Sequence, residues 1–285
     1  MVLQKKRLVS LALAGVLAVS LLTPCFASRT SASAMAYSSE EPAAGSSELV
    51  SYTIEYDSYI QNNDHRRVHV ASYNNKNPDH TNSCTAVAGT NIIGTYDKDY
   101  PNLIPNFEPG AINGSVYMYY PNVGFPAVTG LMDTLYDLMQ VNQVAPGATE
   151  QQCLNGLSQY VTGKGYDISY SSVYENSTTV DLDKIEDMVA AGKVGIIFCS
   201  KFNYVYGFVF NDDAKTVRVS KANYNSAHAM MIYGYIVIDY YKDGQKFLSE
   251  TYLQATSGFS TADLGYIKLN DYLTIESAYV VNISE

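Results

Sequence analysis

The chain has 285 residues, with 18 Lys+Arg against 28 Asp+Glu for a net charge of −10. Such an acidic protein repels phosphate, so nucleic acid and anionic membrane surfaces are excluded as partners on charge grounds. It carries 26 tyrosines, no tryptophan and four cysteines, a composition that predicts tyrosine-rich, amphipathic strands.

Lys5-Lys6-Arg7 precede an uncharged apolar run from Leu8 to Leu22. Small residues follow at Cys25-Phe26-Ala27, Ala32-Ser33-Ala34 and Ala34-Met35-Ala36. That order predicts a secretory signal peptide over residues 1–36, hence an exported protein, secreted or associated with the cell wall. Pro24 before Cys25 makes a poor lipoprotein signal. No stretch approaches the roughly 20 apolar residues of a membrane span, so stable membrane insertion is not expected. Cleavage after Ala36 would remove Lys5, Lys6, Arg7 and Arg29 and no acid, leaving 14 basic residues against 28 acidic ones. It would also leave three cysteines, Cys84, Cys153 and Cys199, and an odd number in an exported protein flags a free thiol. None of them shows Cys-x-x-Cys spacing, so neither a structural zinc site nor another cofactor is expected.

Residues 37–70 read as a leader, either a short propeptide or the first strands, with alternation at Tyr52, Ile54 and Tyr56 and a further short strand at Val68-His69-Val70. Asn74 to Asn82 is a polar loop around Asn77-Pro78-Asp79. Cys84, Ala88, Ile92 and Tyr96 then recur every four residues, predicting a largely buried helix with Thr81 or Asn82 as its N-cap. After a proline-rich stretch, Leu131, Leu135, Leu138 and Met139 mark a second helix. Thr149 and Gln152 form a capping box for a third, whose apolar face is Cys153, Leu157, Tyr160 and Val161. Thr179 is the expected cap of a fourth, carrying Leu182, Ile185 and Val189 and ending at Gly192.

Strands follow: Val194 to Cys199, Tyr204 to Phe210, Thr216 to Ser220, Ala227 to Ile238, Phe247 to Ala255, Gly265 to Leu269 and Ala278 to Ile283. Hairpin turns are expected at Asn211-Asp212-Asp213 and Lys242-Asp243-Gly244-Gln245. Helices first and an antiparallel sheet second is an α+β order. Residues 71–285 are expected to form one domain.

The chemistry lies in two segments. Cys84 opens a helix after a polar loop, where the positive end of the helix dipole favours the thiolate. Its backbone N–H is placed to donate to a developing oxyanion. His228 lies within an apolar strand, Ala227-His228-Ala229-Met230-Met231, where an imidazole is either a satisfied core residue or a general base. His65 and His69 lie beside Arg66-Arg67 in a polar segment, and His80 precedes Cys84 by four residues. Cys153 and Cys199 read as core.

A helix-initial cysteine followed 144 residues later by a strand histidine, with Gly234-Tyr235 beyond it, resembles the papain clan of cysteine peptidases. Cys84-Thr85-Ala86-Val87-Ala88, the later Asp97-Lys98-Asp99-Tyr100-Pro101 and the closing Gly265-Tyr266-Ile267-Lys268-Leu269 are similar to its streptopain-like and bacteriocin-leader-peptidase-like bacterial group. The resemblance implies a papain-like fold, with Cys84 as nucleophile and His228 as its proton acceptor. It implies no cofactor, a peptide or protein substrate, and a monomer. It also implies an Asn beside an aromatic to orient the imidazole, and a Gln ahead of the cysteine as oxyanion donor. Here Thr256 and Ser257 fall where the Asn and aromatic are expected, with Asp239 as a carboxylate alternative. Pro78 falls where the Gln is expected, which leaves Asn77 and Asn82, with Asn74, as oxyanion candidates. The expectation is therefore an exported cysteine peptidase. The alternatives are a catalytically silent papain-like domain that binds peptide or cell-wall material, and a papain-fold acyl transferase or amidase.

Overall fold

The structure is a computed structural model that describes residues 49–66, 69–75, 77–107, 111–112, 118–119, 126–143, 145–259 and 264–285. The signal peptide expected over 1–36, the polar part of the leader and the proposed strand residue Val68 lie outside these residues. The order is β1 (Val50–Glu55), β2 (Ser58–Arg66), β3 (Val70–Ala71), α1 (Cys84–Tyr96), β4 (Ala111–Ile112), β5 (Met118–Tyr119), α2 (Pro126–Leu138), α3 (Glu150–Gly163), β6 (Asp167–Ser172), β7 (Tyr174–Asn176), β8 (Thr179–Val180), α4 (Leu182–Ala190), β9 (Val194–Asn211), β10 (Thr216–Tyr224), β11 (His228–Lys242), β12 (Gln245–Thr256), β13 (Leu264–Lys268) and β14 (Thr274–Ser284). The class is mixed α+β: helices dominate the first half and a nine-stranded antiparallel sheet the second.

That sheet runs β1-β10-β9-β13-β12-β11-β2, with β14 on β9 and β6 on β14. The two strands anticipated at Val194–Cys199 and Tyr204–Phe210 are one strand, β9. Its first half pairs with β11 and β14, and its second half with β10 and β13. No turn is needed between the halves because polar Lys201 and Asn203 stay in the ladder, opposite Thr274 and Asn223, with an irregularity at Ser200. Residues 50–66 are two strands of this sheet, on β10 and on β11, so the folded unit starts ahead of residue 71. Strand β6 and the β7–β8 hairpin were not anticipated. The residues of β7 are exposed, and in β6 the inward alternation is confined to Ile168 and Tyr170 among polar neighbours.

Helix α1 is the centre of the molecule. Every residue from Thr85 to Tyr96 is buried, as befits a helix with no polar face. Its buried hydroxyls bond inward: Thr90 Oγ1 donates to Ala86 O at 2.8 Å and Thr95 Oγ1 to Asn91 O at 2.7 Å. One side of α1 packs on α2 and α3 and the other on β11. Successive side chains of a strand point to opposite faces. On β11, Ala229, Met231 and Tyr233 join the cluster around α1, whereas Met230 and Ile232 join a second cluster on the other face. Burying Ile92, Ile93 and Leu135 contributes roughly 1.5–3 kcal/mol each.

The capping box at Thr149 and Gln152 is present. Two other caps differ from expectation. The N-cap of α1 is Ser83, and its side chain makes no capping hydrogen bond. The cap of α4 is Asp181, which accepts from Lys184 N at 3.1 Å, while Thr179 belongs to β8. No helix among the described residues is long and apolar enough to cross a membrane.

Candidate active site

Cys84 is the first residue of α1, half-buried, and packs against the cluster around that helix. The first N–H groups of a helix have no partner within it. The N-cap, Ser83, makes no side-chain capping hydrogen bond. The approach to Cys84 is tied down on both sides. Asn75 Nδ2 donates to Asn77 O at 3.0 Å and to His80 O at 2.7 Å, closing the loop. Asn142, after α2, donates through Nδ2 to Thr81 O at 2.8 Å.

The amides proposed for the oxyanion have other partners. Asn77 Oδ1 accepts from Asp79 N at 3.0 Å and its Nδ2 donates to Asp133 at 3.4 Å. Asn82 is exposed, in a left-handed conformation with φ 55°, and donates to Asn142 Oδ1 at 3.1 Å. Asn74 is buried. His80 stacks flat on Tyr136, with centroids 3.9 Å apart. Its Nδ1 lies 3.3 Å from Asp133, in ion-pair range but without hydrogen-bond alignment.

His228 is the first residue of β11 and only 8% exposed. Its ring stacks with Phe259, centroids 4.5 Å apart, and with Phe202, centroids 5.7 Å apart. Both phenylalanines belong with the second cluster, whereas Cys84 belongs with the first. Nε2 is 2.8 Å from Ser257 O. A carbonyl only accepts, so Nε2 carries the proton and Nδ1 is the basic nitrogen of the neutral ring. Burial pushes the imidazole down to about 4 from its ordinary 6.5, against the raising effect of the Ser257 bond. The ring is therefore neutral at pH 7.

Thr256 does not face the ring. Its Oγ1 accepts from Asn91 Nδ2 at 3.3 Å. Side chains alternate along β12, so a hydroxyl directed at α1 cannot also reach His228. Asp239 accepts from Asn62 at 2.9 Å and pairs with Lys246 at 3.5 Å, at the other end of β11. The sequence reading missed Asn91. It lies seven residues after Cys84, on the same helix face, and is fully buried. An amide in an otherwise apolar helix was the available signal.

The turn that holds His228 touches the helix of Cys84 through Gly258. A Cβ there would stand 2.5 Å from Val87 Cγ1. Val87 lies one turn after Cys84, and Gly258 directly follows the carbonyl that holds His228. The structure thus brings the histidine's support onto the cysteine's helix, while the hydrogen bond of the ring itself runs to Ser257.

Cys153 and Cys199 are fully buried, and burial pushes both thiols well above the ordinary range. Cys153 also feels Cys84 and Glu150. A cleft of about 400 Å³, lined by Arg66, His69, Tyr100 and Lys193, opens at the C-terminal end of α1. At 1.5 Å per residue that is about 18 Å along the axis from Cys84, too far to serve the thiol. No group of His, Cys, Asp or Glu is placed to hold a metal among the described residues. No family model, curated protein or solved structure matches the chain.

Proposed function

We propose that the chain is an exported cysteine peptidase with Cys84 as nucleophile and His228 as general base and acid. The observation that carries this reading is the packing of Gly258 on Val87. It brings the turn whose carbonyl holds His228 onto the helix that opens at Cys84, while the ring itself packs with the second cluster. Attack by Sγ on the substrate carbonyl carbon passes the thiol proton to Nδ1. The C–N bond then breaks, and Nδ1–H protonates the departing amine and leaves a thioester. Water attacks the thioester and gives a proton to Nδ1. That proton returns to the sulfur as the acid leaves. The N–H groups of the uncapped first turn stabilise the oxyanion.

Burial of His228 against two phenylalanines favours a second reading, a silent papain-like domain that binds peptide or cell-wall material through the same surface. Iodoacetamide at low concentration, titrated from pH 5 to 8, separates the two. The peptidase reading expects fast modification of Cys84, lost in His228→Ala. A thiol that titrates near 8.5 in both proteins rejects it. For a reactive thiol, a digest of a peptide library in the presence of added amine distinguishes hydrolysis from acyl transfer.

A further inference from the structure

We infer that the imidazole of His228 is positioned by main chain rather than by a third side chain, the positioning unit being Ser257-Gly258-Phe259. The inference rests on the reading of His228 as the base.

Three contacts build the unit. Ser257 O accepts the Nε2 proton at 2.8 Å. The Ser257 hydroxyl in turn accepts from Phe259 N at 3.1 Å, a tight turn that fixes the direction of that carbonyl. Gly258, at φ 75°, lies against Val87, with no room for a Cβ between them. Phe259 then lies over the ring at 4.5 Å, partly exposed, as the lid between the imidazole and water. Phe202 also stacks with the ring, centroids 5.7 Å apart.

A side-chain amide would hold the ring through its own rotamer. A carbonyl holds it through backbone geometry, so the position of His228 is set by how closely Gly258 approaches α1. The register of the imidazole is therefore read directly from the helix that carries the nucleophile. Thr256, the side chain at the expected orienting position, has no part in this because its hydroxyl serves Asn91.

The test has two arms. In the first, the protein with ¹⁵N-labelled histidine is examined at pH 7 by long-range nitrogen–proton correlation, with His228→Ala to assign the signal. The expected spectrum is that of an Nε2–H tautomer with Nδ1 unprotonated, unchanged in Thr256→Val. An Nδ1–H tautomer overturns the inference whether or not Cys84 is reactive. In the second arm, the His228-dependent alkylation of Cys84 is followed against pH. Thr256→Val should keep the wild-type profile. Gly258→Ala should lose about 100-fold in rate, the cost of a displacement of about 1 Å. Loss in Thr256→Val with none in Gly258→Ala overturns the inference while leaving the peptidase reading intact. Wild-type and His228→Ala proteins that label alike reject the reading itself, and the tautomer still decides the positioning. Should Gly258→Ala fail to fold, Phe259→Leu takes its place, with the tautomer equilibrium as its readout.

Discussion

Asn91 grips the main chain of Tyr73 from both sides. Its Oδ1 accepts from Tyr73 N at 2.5 Å and its Nδ2 donates to Tyr73 O at 3.3 Å. The same Nδ2 reaches Thr256 Oγ1 at 3.3 Å. One amide on α1 therefore holds the segment that leads to Cys84 and the end of the strand that leads to Ser257. Asn91→Leu would remove both of these hydrogen bonds from the buried main chain of Tyr73, at about 1–3 kcal/mol each. Urea denaturation should show a loss of about 3 kcal/mol or more. A loss below about 1 kcal/mol would contradict the clamp.

Stability should fall as pH drops through the window set by His228. Its folded pKa of about 4 lies below the ordinary 6.5. Between those values the unfolded chain binds a proton that the folded chain refuses, so folding stability rises with pH and is lost on acidification. The full contribution is on the order of 3 kcal/mol, present above pH 6.5 and gone below pH 4. The measurement is the difference in unfolding free energy between wild type and His228→Gln at pH 7, 5.5 and 4.5. A difference that does not change with pH would rule the buried neutral imidazole out.

Native protein should alkylate at Cys84 alone. Cys153 and Cys199 are fully buried, and burial pushes their thiols up. Mapping of the modified peptides before and after denaturation checks this. Modification of Cys153 in the folded state, at a rate matching Cys84, would be inconsistent with its place between α3 and α1.

The far end of the sheet holds a buried ion pair. Lys268 Nζ donates to Glu250, Tyr252 OH donates to the other carboxylate oxygen at 2.5 Å, and Lys268 also reaches Tyr52 OH at 3.2 Å. Burial would lower the lysine pKa, but the Glu250 partner outweighs it and the net direction is upward. Lys268→Met strands the carboxylate and should cost about 3–5 kcal/mol. Restoring a matched apolar pair with Glu250→Leu should recover most of that loss in thermal melts. A single variant as stable as wild type would contradict the contribution of the ion pair.

Much of the fold was legible because its signals are local. The four-residue recurrence from Cys84 to Tyr96 and the Thr149–Gln152 capping box each depend on contacts within a turn or two. Thr179 was misjudged as a cap for the same local reason: Asp181, two residues on, offers a stronger acceptor to the first turn of α4. The β9 strand was divided because polar Ser200, Lys201 and Asn203 interrupt its apolar run, although the ladder continues through them.

By itself, the sequence determined that a cysteine opens a buried helix, that a histidine lies on an apolar strand, and that the class is α+β. These follow from periodicity, capping and composition. Tertiary structure alone decided what supports the histidine. Thr256 and Ser257 are adjacent, but alternation along β12 turns the hydroxyl of the first toward α1, while the carbonyl of the second meets the ring. The approach of Gly258 to Val87, 171 residues apart in the chain, sets where that ring stands. Long-range packing of this kind leaves no periodic trace, because a carbonyl is present at every residue and only the fold aims one of them at His228.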